Sequence, residues 1–311
     1  MKFSTHCTIL ISLTIFLFSC TDEDVTMLYH PEKEDKSYWL LEHVDYPEEK
    51  LGILLPKDFT LSYNDNDSLK AIDVSGSEPI TINYSDKTVS LSKLKKSGTT
   101  IVYDSILVHL NNNRQAEYIL HRSYTQRDSE TNISKYKSID DSLALYYNTE
   151  GYLIQLESYG TTGKPSSLRL TEKYKIENGN ITEILSTKHN TPTYKYTYMY
   201  DNTEHILPVE YCHEMPYNTM TLSTNGCWLM DNLPFVSKFL GKKSKNNIIQ
   251  TIIKQIGEKE ESNVYADIKY DYTYNDNNMV SKVKISGTVN NKLVTDDYTI
   301  AFSYLEKAKK E

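Results

Sequence analysis

The stretch YDYTYNDNNMVSKVKI, residues 270–285, decides the fold. Tyr270, Tyr272 and Tyr274 fall on every second position. After a polar Asn-Asp-Asn-Asn break, Met279, Val283 and Ile285 follow the same pattern. Period-two alternation is the geometry of a strand that packs one face and wets the other. Asn and Asp accept the positive φ that a short hairpin loop requires. The stretch therefore predicts a β-hairpin.

The same device recurs along the chain. FTLSYNDNDSLKAI starts at Phe59, LALYYNTEGYLIQLE at Leu143 and EKYKIENGNITEIL at Glu172, with a weaker copy, ITINYSDKTVSL, from Ile80. Tyr84 to Val89, Tyr147 to Tyr152, Ile176 to Ile181 and Tyr274 to Met279 are each five apart, and Tyr63 to Leu69 is six. Val108 to Arg122 departs from the repeats, because it has no Gly turn. A lone hairpin is marginal in water, so the copies must pair side by side into a sheet of about a dozen strands. The last runs from Tyr298 to Tyr304. Outward positions are Thr, Lys, Ser and Asn, so neither face reads as the apolar belt of a membrane-spanning barrel. The expectation is an all-β fold: a large curved antiparallel meander or a partly open barrel.

One stretch breaks the rhythm, and a short helical or loop insertion is expected around residues 228–257. Asp231-Asn232-Leu233-Pro234 can cap a short helix. Phe235, Val236, Phe239 and Leu240 then share a side at helical spacing, and Gly241 can end it. This segment reads as a plug packed against the open end or concave face of the sheet.

The N-terminus reads as an address. Lys2 is followed by ILISLTIFLF, Ile9–Phe18, which is too short to span a bilayer as a helix. It fits the apolar core of a signal peptide. Leu17-Phe18-Ser19-Cys20 resembles a bacterial lipobox, which implies cleavage before Cys20 and its lipidation, palmitate included. Several acyl chains make a durable anchor. The acidic Thr21-Asp22-Glu23-Asp24 resembles the export tag of Bacteroidetes-type lipoproteins sent to the outer leaflet. The expected organisation is a signal peptide at 1–19, a flexible tether at 20–37 and one β-meander domain at 38–311.

Composition narrows the partners. Without Lys2, 33 basic residues face 42 acidic ones, a net charge near −9. That excludes a basic nucleic-acid face and a polybasic grip on anionic lipid. Of four cysteines, Cys7 leaves with the signal and Cys20 carries lipid. Cys212 and Cys227 remain; outside the cytoplasm they can form a disulfide, or they are two small buried apolar residues. Zinc held by His205, Cys212, His213 and Cys227 lacks ligand spacing, so no metal is expected. Tyrosine is abundant: 26, against 7 Phe and 2 Trp. It suits a sheet face that packs its rings and wets its hydroxyls.

The lipobox, the Y-x-Y-N/D-x-x-G/N-x-hydrophobic hairpins, YTYMYDN at Tyr196 to Asn202 and FLGKKSKN at Phe239 to Asn246 together resemble a family of Bacteroidetes lipoproteins, a domain of unknown function with a porin-like, curved antiparallel fold. The resemblance covers about residues 59–304. It implies fold and location and brings no activity.

Catalytic signatures are absent: there is no GxSxG, HExxH, P-loop or dinucleotide fingerprint. Asp140-Asp141 and Asp296-Asp297 are adjacent acids, and adjacency does not place two carboxyls across a cleft. His43, His109, His121 and His189 are scattered. Asp67-Ser68-Leu69, Asp104-Ser105-Ile106 and Asp141-Ser142-Leu143 resemble the Asp-Ser/Thr-aliphatic O-glycosylation acceptor of exported Bacteroidetes proteins, which makes Ser68, Ser105 and Ser142 candidates. No catalytic residue and no cofactor is assigned. The leading reading is an outer-membrane, surface-exposed, non-catalytic module that binds a glycan or an envelope protein. The alternatives are a carrier that shelters lipid or chain, and a polysaccharide-acting enzyme; a periplasm-facing position is the alternative address.

Overall fold

A computed structural model describes residues 37–46, 58–97, 100–129, 132–160, 168–204, 233–256, 262–289, 292–294 and 298–308. Cys20, Cys212, Cys227, Asp296 and Asp297 lie outside them, as does all of the tether except Ser37.

Seventeen strands make up most of the described residues. The first five are β1 (Ser37–Asp45), β2 (Phe59–Tyr63), β3 (Leu69–Val74), β4 (Ile80–Tyr84) and β5 (Thr88–Ser97). Longer strands follow: β6 (Thr100–Leu110), β7 (Ala116–Ser129), β8 (Asn132–Tyr147), β9 (Leu153–Tyr159) and β10 (Leu168–Glu177). Next come β11 (Asn180–Lys188), β12 (Thr191–Glu204), β13 (Asn246–Ile256) and β14 (Ser262–Tyr274). The chain ends with β15 (Val280–Val289), the three-residue β16 (Lys292–Val294) and β17 (Thr299–Ala308).

Consecutive strands from β1 to β15 pair antiparallel, and β15 pairs both β16 and β17. β1 is bonded to β2 on one side and to β17 on the other, from Ser37↔Ala308 to Asp45↔Ala301. Sixteen strands thus close into an all-β antiparallel barrel, with β16 a short addition beside β15. The partly open sheet expected from the hairpins closes fully, because β1 seals the seam.

Four hairpins share one turn. Asn64, Asn111, Asn148 and Asn275 each open it, and the backbone N–H three residues on donates to the Asn carbonyl. That fourth position is left-handed in all four: Asp67 (φ 61), Arg114 (φ 56), Gly151 (φ 91) and Asn278 (φ 58). In the last three, the Asn side-chain oxygen also accepts from two turn N–H groups. Val108 to Arg122 therefore holds the same hairpin as the clean repeats, with Arg in the strained position.

The inward residues form one dry core. Leu91, Ile106, Val108, Ile119, Leu143, Ile181, Ile184, Val283 and Ile300 are fully buried members of one cluster. A round barrel of sixteen strands would leave a channel. Here the facing walls lie close enough to bury each other's side chains.

The tyrosines clasp the hairpins together. Tyr63, Tyr84, Tyr147, Tyr200, Tyr272 and Tyr304 donate to the carbonyls of Leu41, Leu69, Ala116, Ile181, Ile248 and Val280 at 2.5–2.9 Å. Each bond runs from one hairpin to the preceding one. Leu110 and Ile176 take the equivalent place on β6 and β10.

The expected plug is there, in a different form. Leu233–Phe239 is a 3-10 turn, and Val236, Phe239 and Leu240 join the core. Phe235 meets Phe59 edge-on at 5.1 Å. Lys242 and Lys245 N–H donate to Gly151 and Gly179 carbonyls, so the segment is strapped across the barrel end. The second half of the expected insertion is corrected: NNIIQTIIKQI is the wall strand β13. Its near-continuous apolar run hid the alternation, yet Ile253 and Thr251 point in while Ile249 is exposed.

Candidate functional site: the outer face of β7–β9

The outer wall has two unlike flanks. On β10–β15 it carries Lys173, Lys175, Glu183, Lys195, Asp267, Lys269, Asp271, Lys282 and Lys284, each exposed or half-buried. Lys175–Glu177 (2.8 Å) and Lys195–Glu183 (2.6 Å) are ion pairs on this surface. Met199, Ile249 and Val264 are exposed among these charges, so the apolar residues of this flank are interrupted; the outer belt of a membrane-spanning barrel is continuously apolar.

On β5–β9 the outer face turns aromatic and aliphatic. Leu94 opposes Tyr103, and both are exposed. One row across the strands reads Leu107, Leu120, Ser142, Tyr159 and Leu168. The next reads His109, Tyr118, Ala144 and Glu157. Tyr146 opposes Gln155 above them.

Glu157 organises this face. Tyr146 Oη donates to its Oε2 at 3.0 Å, Tyr159 Oη donates to the same oxygen, and Gln155 Nε2 donates to Oε1 at 2.7 Å. The Tyr146 phenol is pushed up by burial and then by Glu157; the Tyr159 phenol is pushed up chiefly by its hydrogen bond to Glu157. Both stay neutral at physiological pH. Two rings and an amide are thereby fixed around one carboxylate. The sequence signal was the Tyr146-Tyr147 pair: neighbours on a strand face opposite ways, so one of the two had to point outward.

The candidate serines sit in three settings. Ser68 lies in the β2–β3 turn, bonded to Asn64 (2.8 Å) and Asn66 (2.7 Å). Ser105 is half-buried on β6, its Oγ donating to Arg122 O at 3.5 Å. Ser142 is 2 % exposed, and its Oγ has no hydrogen-bond partner among the described residues. Glycosylation of Ser142 would have to precede folding; Ser68 and Ser105 remain expectations.

The histidines do not converge. His43 Nδ1 meets Thr60 Oγ1 at 2.9 Å, His109 lies against Tyr118, and His189 occupies a turn at φ 49. His121 points inward, 3.8 Å from Asp104 Oδ1. Glu172 is also enclosed, at 1 % exposure, accepting from Tyr174 Oη at 2.8 Å. Asp140 and Asp141 pair in register with Arg122 and His121.

The ladders define the class, a closed antiparallel β-barrel. Among solved structures the chain is similar to a porin-like protein from Bacteroides uniformis, with a TM-score of 0.49 and 14% identity, covering 85% of this chain and 98% of that one. It is also similar to a porin-like protein from Bacteroides vulgatus, with a TM-score of 0.47 and 12% identity over the same shares. No protein-family model matches the chain. No curated protein matches it either.

Proposed function

We propose that the chain is an outer-membrane lipoprotein, anchored through Cys20 and exposed at the surface, whose filled barrel is a non-catalytic binding module for a glycan or an envelope protein. One observation supports this reading: the described inward residues are mostly apolar and packed in one buried cluster, with a few enclosed polar groups such as Glu172 and His121, while the wall on β10–β15 carries charge outside. Among the described residues such a body shows neither the polar lining of a channel nor the continuous apolar belt that seats a barrel in lipid. It must then be held at the membrane by something else, and the Leu-Phe-Ser-Cys sequence supplies the means. The carrier alternative needs sheltered space, and the described inward side chains pack with the plug as one buried cluster. The aromatic flank on β5–β9 is the surface left to meet a partner.

Detergent phase partition of full-length protein and of Cys20→Ala tests this. Wild type should enter the detergent phase and take up labelled palmitate, while Cys20→Ala should stay in water unlabelled. A Cys20→Ala protein that still inserts into vesicles would show a spanning barrel and end the proposal.

A further inference from the structure

We propose that the outer edge of β8 along Asn132–Asp141 is a self-association surface, on which a second copy of the chain pairs antiparallel through the same segment. The inference goes beyond the binding-module reading and does not depend on it. The ladders show the edge. β8 is bonded to β7 from Ser129↔Asn132 to Tyr118↔Ala144, whereas β9 joins it only from Ser142↔Tyr159 to Tyr147↔Leu153. Among the described residues no strand lies on the other side of residues 132–141. At about 3.3 Å per residue this edge is about 33 Å long. Every second residue of such an edge turns its N–H and C=O outward, which makes it a template for one more strand.

Strands β5–β8 run on past their neighbours as a flap, so the flap has a second edge. β4 covers β5 only from Thr81↔Ser92 to Tyr84↔Val89, which leaves Lys93–Ser97 without a described strand beside it. That edge reads Lys93-Leu94-Lys95-Lys96-Ser97. Lysines without an acid keep such edges apart, and Lys93 Nζ is tied to Ser77 Oγ. The β8 edge differs. It has no proline, and it carries Lys135 and Lys137 in one half and Asp140 and Asp141 in the other.

The register sharpens the contrast. A bulge at Ser138 steps the ladder from Tyr124↔Lys137 to Ser123↔Ile139. Lys135, Lys137 and Asp140 therefore oppose Gln126, Tyr124 and Arg122, alternate positions of β7, and share one face of the sheet. An antiparallel copy sets Lys137 of each chain opposite Asp140 of the other, two opposite-charge pairs about one twofold axis. A parallel copy would set like against like. This match of the segment to itself selects a second copy as the occupant, because a twofold contact needs a self-complementary patch.

Sedimentation velocity of the full-length protein in density-matched mild detergent, over a range of concentrations, reads the association. Wild type should dimerise. Lys137→Asp and Asp140→Lys should each weaken the dimer about tenfold, because each turns two attractive pairs into two repulsive ones. An equimolar mixture of the two variants should recover it, since every Asp then meets a Lys. Hydrogen exchange of the 132–141 amides should slow in the dimer, while that of Lys93–Ser97 should not change. Circular dichroism confirms that each variant is folded. Equal association of wild type and both variants would overturn the proposal in favour of another surface. A mixture that fails to recover the dimer would overturn the antiparallel pairing. A monomeric wild type whose edge amides exchange fast would overturn it and leave the edge to a strand of another protein. A monomer whose edge amides are already protected would overturn it by showing that the chain covers its own edge.

Discussion

The hydroxyl of Tyr147 on β8 donates to the carbonyl of Ala116 on β7 across 2.8 Å, joining one hairpin to the one before it. Five other tyrosines repeat this bond around the ring. The ring of each packs on the core while its hydroxyl reaches backbone, which neither Phe nor Leu can do. Tyrosine is therefore the mortar between repeats, and most of the abundant rings are committed to the fold. A minority among the described residues, Tyr146 among them, points outward.

Tyr147→Phe removes the clasp and keeps the ring. It should cost about 1 kcal/mol, the net worth of one buried hydrogen bond. Tyr147→Ala removes both and should cost about 3–5 kcal/mol. Equilibrium denaturation in urea checks the pair; equal losses would show that the hydroxyl contributes nothing.

The shared turn predicts opposite effects at one position. Arg114 sits at φ 56, where an L side chain is strained. Arg114→Gly should be neutral or stabilise by up to about 1 kcal/mol. Gly151→Ala, at φ 91 in the equivalent place, should destabilise by about 1 kcal/mol. Thermal unfolding of both variants decides it.

Gly241 holds the plug close. A Cβ there would lie 2.6 Å from Gly151 O and 2.7 Å from the Tyr147 ring, at φ 91. Gly241→Ala should lift the strap off the Gly151 turn, and limited proteolysis should then cut near residues 233–245 while the strands stay protected. Unchanged cleavage would mean that the strap absorbs the methyl.

Alkaline pH should unfold the barrel from the tyrosines outward. Burial raises the Tyr63, Tyr198 and Tyr200 phenols above their ordinary value, and Tyr38 is pushed up to about 12 by burial and then by Asp67. The fold thus prefers the neutral phenol. Its contribution is whole below about pH 10, where unfolded tyrosines ionise, and is lost as pH climbs through the folded values. Tyrosinate absorbance from the buried set should rise together with the loss of circular dichroism; a rise with the fold intact would show that burial does not hold these phenols neutral.

Ser142→Ala should hold or raise stability, by up to about 1 kcal/mol, because it deletes a buried hydroxyl that lacks a partner among the described residues. A clear loss in calorimetry would show that the hydroxyl is bonded after all.

By itself the sequence determined the strands, the hairpins and the all-β class, because alternation and turn chemistry act between residues close along the chain. Even there it concealed the Asn111 turn, whose left-handed position carries Arg, and β13, whose apolar run masks its period. Only the tertiary structure decided that β1 meets β17 and shuts the ring, that facing walls exclude water, and that Ser142 is covered. It also gathered Tyr146, Gln155 and Tyr159 around Glu157. Those outcomes depend on register and on contacts between strands far apart in sequence, and period-two alternation is the same whichever neighbour a strand finds.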